Sequence, residues 1–161
     1  MQSVIAKKRN EIGVTLIELV TVILILGILA AMVTPRFFDL GTFEERGFYE
    51  DVASALRYAQ KIAIGSGCSV RVSITATSYD LRQQAASGNR CDETDNTWTT
   101  QVLMPDGTPA TATAPGDITL GPVTNYVIDG LGQTDLGSDL TVTVGGLTMT
   151  VQTESGYVVV P

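Results

Sequence analysis

The chain has 161 residues, with 10 Lys and Arg against 17 Asp and Glu and a formal net charge of −7. That length suits one domain of ordinary size, and the acidic balance gives no general attraction to nucleic acid or anionic lipid. Histidine is absent and the two cysteines, Cys68 and Cys91, lack CxxC spacing, so the usual general base, a zinc knuckle and a dithiol redox motif are all missing. No enzyme activity, cofactor or metal is expected.

The first element is apolar. Lys7, Lys8 and Arg9 precede Gly13, and residues 14–33 are almost all hydrophobic. Twenty helical residues reach about 30 Å, the thickness of a bilayer's hydrocarbon core. The basic cluster on the amino side predicts that the amino terminus stays in the cytoplasm and that the chain after Pro35 is exported. Arg36, Phe37 and Phe38 would then lie at the interface. Removing residues 1–13 would leave 7 basic and 16 acidic residues, a net of −9.

Three uses of this segment compete: a cleaved secretory signal, a plain signal anchor, and a segment that needs Glu18. The stretch "ILAAM" at Ile28 to Met32 offers a mediocre signal cleavage site. Glu18 suits neither of the first two readings, because a carboxylate near the bilayer centre costs about 2.5 to 3.5 kcal/mol, less near an end. A local explanation stays open, since Thr15 and Glu18 form a capping box, "TLIE". Gly27 and Pro35 bracket a weak part of the helix, though both residue types are common in membrane spans.

The Lys-rich leader, Gly13 and "VTLIELVTVILILGILAAMVTPRF" resemble the amino-terminal signature of type IV pilins and of the pseudopilins of type II secretion. The resemblance implies that a prepilin peptidase cuts between Gly13 and Val14 and methylates Val14, where the family usually has phenylalanine. It also implies that Glu18 pairs with the amino terminus of a neighbouring subunit. The partners implied are other pilin or pseudopilin subunits, the prepilin peptidase and an inner-membrane assembly platform, with no nucleic acid. Cleavage would convert a neutral amide at Val14 into a cation four residues from Glu18, and the strong distance dependence of such a pair would make it a register device.

From Thr42 a second helix is predicted, with "TFEE" offering a capping box through Thr42 and Glu45. Phe48, Val52, Ala55, Ala59 and Ile62 recur at helical spacing, while Glu50, Ser54, Arg57 and Lys61 follow one stripe over. "GSG" at Gly65 to Gly67 ends it. Val70, Val72 and Ile74 then alternate with Ser69, Arg71, Ser73 and Thr75, which marks a strand. Tyr79 to Gln83 is a candidate hairpin partner, Trp98 to Met104 another strand, and "PDG" at Pro105 to Gly107 a turn. "TPATATAPGD" reads as a loop, Ile118 to Leu120 and Val123 to Ile128 as extended, and "DGLGQ" as a turn. In "LTVTVGGLTMTV" the Gly145–Gly146 loop pairs Val144 with Leu147, Val142 with Met149 and Leu140 with Val151. Tyr157 to Val160 closes the series.

The predicted fold class is α+β and type IV pilin-like: a long amino-terminal helix, half membrane and half amphipathic, followed by an antiparallel β-sheet or sandwich domain. Its segments are a leader at 1–13, a membrane half at 14–34, an amphipathic half at 35–65 and a periplasmic β domain at 66–161. "ALRYAQKIAIGSG", "DGLGQ" and "ESGYVVV" are similar to the GspH and FimT branch of minor pilins and pseudopilins, and the layout is most like the minor pilins of mannose-sensitive haemagglutinin pili. In an oxidising periplasm a Cys68–Cys91 bridge would restrict the unfolded chain by roughly 3 kcal/mol; two free thiols are the alternative. Asp129, Asp135 and Asp139 lie in a Gly-rich stretch without EF-hand spacing, and turn chemistry explains them. Trp98 is either a core aromatic on a strand or an exposed ligand-binding residue. The function expected is a minor pilin acting in pilus initiation, or an H-type pseudopilin of type II secretion. From another class, a signal-anchored β domain with binding or enzymatic activity remains.

Overall fold

The computed structural model describes residues 13–33, 40–87 and 90–161. The basic leader, Pro35, Arg36, Phe37 and Phe38 lie outside the described residues. Two units emerge, divided between Leu40 and Gly41.

In the first unit, helix α1 runs Leu16–Val33. Thr15 caps it, because its Oγ1 accepts the Glu18 backbone N–H at 3.3 Å. Leu19 N then donates to Thr15 O at 3.1 Å, the first full turn. Among the described residues no helix is long and apolar enough to cross a membrane; residue 34, the end of the expected 14–34 span, lies outside them. The cap delays the helix to Leu16, and Glu18 sits in its first turn.

The second unit begins with α2, Leu40–Ser66, which starts before Thr42. The Thr42–Glu45 capping box is therefore not formed, since Thr42 already lies within the helix. Among the described residues eleven strands follow: β1 Val70–Ile74, β2 Ser78–Gln83, β3 Ala86–Ser87, β4 Arg90–Cys91, β5 Thr100–Gln101, β6 Thr111–Thr113, β7 Leu120–Gly121, β8 Thr124–Ile128, β9 Leu140–Val144, β10 Leu147–Val151 and β11 Val158–Val159. One antiparallel sheet has the order β5-β2-β1-β8, with β6 also on β2; a second has the order β11-β10-β9-β7; β3 and β4 pair alone. An amino-terminal helix followed by antiparallel sheets is the α+β, type IV pilin-like class predicted.

Strand periodicity explains the core. Val70, Val72 and Ile74 are buried and alternate with half-buried Arg71 and Ser73. The β9–β10 hairpin has the predicted register, Val144 with Leu147, Val142 with Met149 and Leu140 with Val151. Both sheets turn their apolar faces into one cluster with Phe48, Val52, Ala55, Leu56 and Ala59 of α2. Polar ties fix the helix to each sheet. Tyr49 Oη donates to Thr148 O at 2.7 Å, and Tyr58 Oη to Leu103 O at 2.8 Å. Tyr79 Oη donates to Asp51 Oδ2 at 3.0 Å. Burial first, then the Asp51 charge, raises the Tyr79 phenol above its ordinary pKa.

Two expectations fail locally. The loop "TPATATAPGD" contributes β6, whose Thr111 opposes Asp80 of β2; alternating small residues in an open edge position complete the sheet. Trp98 is not a strand residue. Its φ is +55°, and only Thr100–Gln101 of the predicted Trp98–Met104 strand forms a ladder of its own.

Candidate functional site

The predicted processing site lies on the extended residues before α1. Gly13 has no neighbour within 4 Å of where a Cβ would stand, and its φ is not in the left-handed region. The fold therefore gives no reason for glycine there. A requirement for glycine at this place must come from something that handles the chain from outside, such as a narrow protease cleft. Val14, next to it, is 70% exposed.

Thr15 and Glu18 are brought together, but only halfway to a capping box. The hydroxyl of Thr15 accepts the Glu18 N–H, and the Glu18 carbonyl accepts the Thr21 hydroxyl at 2.9 Å. Among the described residues the Glu18 carboxylate makes no hydrogen bond or ion pair. The local reading thus explains Thr15 and leaves the Glu18 side chain without a partner. Around it α1 is apolar on every side, with Leu16 81%, Ile17 68% and Leu29 53% exposed. A helix that is hydrophobic all round belongs in an apolar environment, a bilayer or a bundle of like helices. Gly27 also has open space where a Cβ would stand, so nothing in the single chain requires its lack of a side chain. Pro35, the other half of the predicted weak region, lies outside the described residues.

In the second unit Cys68 and Cys91 form a disulfide with Cα atoms 5.4 Å apart. It ties the connection after α2 to the β3–β4 hairpin. The three aspartates of "DGLGQTDLGSD" do not converge. Asp129 Oδ1 accepts the N–H groups of Leu131 and Gln133, Asp135 Oδ1 that of Val127, and Asp139 Oδ1 that of Thr153. Each carboxylate is used on a different backbone group. Among the described residues no cluster of three or more metal-ligating side chains assembles.

Three arrangements escaped the sequence reading. Glu45 reaches the β9–β10 turn and accepts the Gly146 N–H at 2.6 Å. A Cβ on Gly145, where φ is +58°, would fall on the Glu45 carboxylate, so both the turn and the contact require glycine. Asp95 organises its loop: its carboxylate accepts Ala85 N and Thr97 N, each at 2.8 Å, and the Thr97 hydroxyl. The Thr97 hydroxyl first, then these backbone donors, hold the Asp95 pKa down at about 2. Trp98 leaves that loop to lie against Arg71, whose Cζ is 5.4 Å from the ring centroid. The D-x-T spacing of "DNT" was the available signal for the Asp95 turn. Nothing local signals the other two.

Residues 8–34 match the family described as the prokaryotic N-terminal methylation motif. No curated protein and no solved structure matches the chain. The matched stretch contains Gly13, Val14, Thr15, Glu18 and Gly27, and ends one residue before Pro35. Such a motif is that of a type IV pilin-like or pseudopilin precursor, processed by prepilin peptidase and assembled with other pilin-type subunits.

Proposed function

We propose that this protein is a minor pilin: a precursor held in the inner membrane by residues 14–34, with its amino terminus in the cytoplasm and its β domain in the periplasm. Prepilin peptidase cuts after Gly13 and methylates Val14. The α1 segment then leaves the bilayer for the core of a type IV pilus of the mannose-sensitive haemagglutinin kind, where the subunit acts in initiation. It is a structural component and not an enzyme.

The observation that carries this reading is the coincidence, inside the matched motif, of a sterically free Gly13 and a partnerless Glu18 on a helix with no apolar cover. Each is unexplained by the single chain and explained by processing and assembly. Processing makes a cation at Val14, and a neighbouring subunit's cation satisfies Glu18 in a low-dielectric helical bundle. A subunit out of register would leave that charge buried and unpaired.

Mass measurement of the mature amino terminus tests the first step. A methylated Val14 is expected; an intact Met1, or an end near Met32, overturns the reading. Glu18→Ala tests the second, with normal processing and loss of filament incorporation expected. Co-purification with a secretion apparatus in place of a pilus would reassign the subunit to the H-type pseudopilins.

A further inference from the structure

From Gly67 to Pro161 the chain has three cations, Arg71, Arg82 and Arg90, and ten carboxylates. Arg71 and Arg82 nevertheless stand directly opposite each other on β1 and β2, on the sheet face turned away from the core. Like charges so placed repel. Arg82 is neutralised, since its Nε lies 2.7 Å from Asp80 Oδ2. Arg71 is not: among the described residues its guanidinium makes no hydrogen bond or ion pair, and its Nε is buried without a partner. Its terminal nitrogens are not among the buried orphans, so they reach solvent.

The partner Arg71 does have is Trp98, half-buried and stacked at 5.4 Å. Trp98 is the single non-glycine residue with positive φ among the described residues. A bulky side chain in the left-handed region is strained, and such strain concentrates at recognition sites. Asp95 and Thr97 over-determine the preceding turn, which holds the backbone there and delivers the indole to Arg71.

We propose that Arg71 and Trp98 form a binding site for the carboxylate of an acidic saccharide. A guanidinium stacked on an aromatic ring keeps its planar fork free, and that fork matches a carboxylate with two parallel hydrogen bonds. The indole beside it offers a rigid apolar surface to the C–H face of a sugar ring. Strand register places Ser73, Asn125 and Gln101 on the same face as Arg71, with hydroxyl and amide groups suited to sugar hydroxyls; the one carboxylate these registers add, Asp80, is neutralised by Arg82. Nucleic acid is disfavoured, because a site with one free guanidinium on a chain of net charge −7 cannot neutralise a run of phosphates. Arg and Trp also anchor protein interfaces, but there they sit within a patch that excludes water, and none of the domain's exposed large hydrophobic residues lies in β1, β2, β5 or β8; the peptide arm of the titration below tests that alternative. The site does not depend on the filament role.

Trp98 is the only tryptophan, so its emission reports on this place alone. The full-length protein in detergent is titrated with galacturonate trimer, the neutral galactose trimer, a glutamate-containing peptide and inorganic phosphate. A saturable emission change is expected for galacturonate trimer with a dissociation constant of about 1 mM or tighter, at least about tenfold below that for the neutral trimer. Arg71→Gln is expected to abolish that preference, Arg71→Lys to lose most of it, and Lys61→Gln, on the exposed side of α2, to leave it within about twofold. Melting temperature and free-thiol content check that the variants fold. The proposal is overturned if wild-type protein gives no saturable change or does not prefer the acidic trimer. It is equally overturned if peptide or phosphate matches galacturonate, or if both Arg71 variants bind as wild type does.

Discussion

Helices α1 and α2 come from one continuous stretch of chain and follow opposite rules. α1 exposes hydrophobic residues on all sides, while α2 buries Phe48, Val52, Ala55, Leu56 and Ala59 and leaves Glu50, Ser54 and Lys61 in solvent. α2 finds its cover within its own domain: the buried residues of its stripe share one core cluster with both sheets. α1 is complete only with a partner, lipid or another helix. Residues in α1 should therefore affect processing and assembly without changing domain stability, and residues packed on α2 should do the reverse.

The sharpest test of that division is Gly13→Val. A Cβ at this position, which precedes α1, meets nothing within 4 Å, so the melting temperature should not move. Cleavage should slow by about hundredfold or more, as expected when a scissile segment is displaced in a protease cleft, read from the ratio of precursor to mature chain. Parallel loss of stability would break the comparison. Leu56→Ala is the converse. Its fully buried side chain should cost about 2 to 5 kcal/mol by denaturant unfolding, with cleavage after Gly13 unchanged.

Smaller effects sharpen the boundaries of the domain. Cys68→Ser with Cys91→Ser should lower unfolding free energy by roughly 3 kcal/mol through release of the closed loop, and the oxidised wild type should take up no alkylating reagent. Glu45→Ala removes the acceptor for Gly146 N–H and should cost about 1 kcal/mol, with exchange of that amide accelerated. Asp95 has a depressed folded-state pKa. Its contribution is therefore present above the unfolded carboxylate value of about 4 and is lost as pH falls through about 2. Trp98 emission should change across that acid window in wild type, and Asp95→Asn should remove the change.

Several elements were legible in the residues themselves. The β9–β10 hairpin was readable down to its register, because strict alternation on both sides of Gly145–Gly146 leaves one pairing that buries all the aliphatic side chains on one face. The stripe of α2 was readable for the same reason at helical period. What escaped depends on contact between distant positions. Glu45 was assigned to a local cap, yet its acceptor role is met by Gly146, 101 residues away. Trp98 was placed on a strand from its β propensity, and the Asp95 turn overrode that preference. β6 was missed because Ala and Thr carry too weak a pattern to mark an edge strand until β2 is there to receive it.

The candidate site divides in the same way. Gly13, Val14 and Glu18 stood out in the sequence, because a glycine after a basic leader and an acid inside an apolar run break local expectations without any knowledge of the fold. The structure added that among the described residues nothing crowds Gly13 and nothing pairs with the Glu18 carboxylate. Sequence by itself determined the two helical periods, the apolar first helix with its acid, the β9–β10 register and the methylation motif, all set by spacing along a few neighbouring residues. The Cys68–Cys91 bridge expected from the sequence is present, while only the tertiary structure decided that Glu45 clasps a distant turn and that Arg71 lies beside Trp98. Those pairings depend on how strands far apart in the chain come to share a sheet, and no local period encodes them.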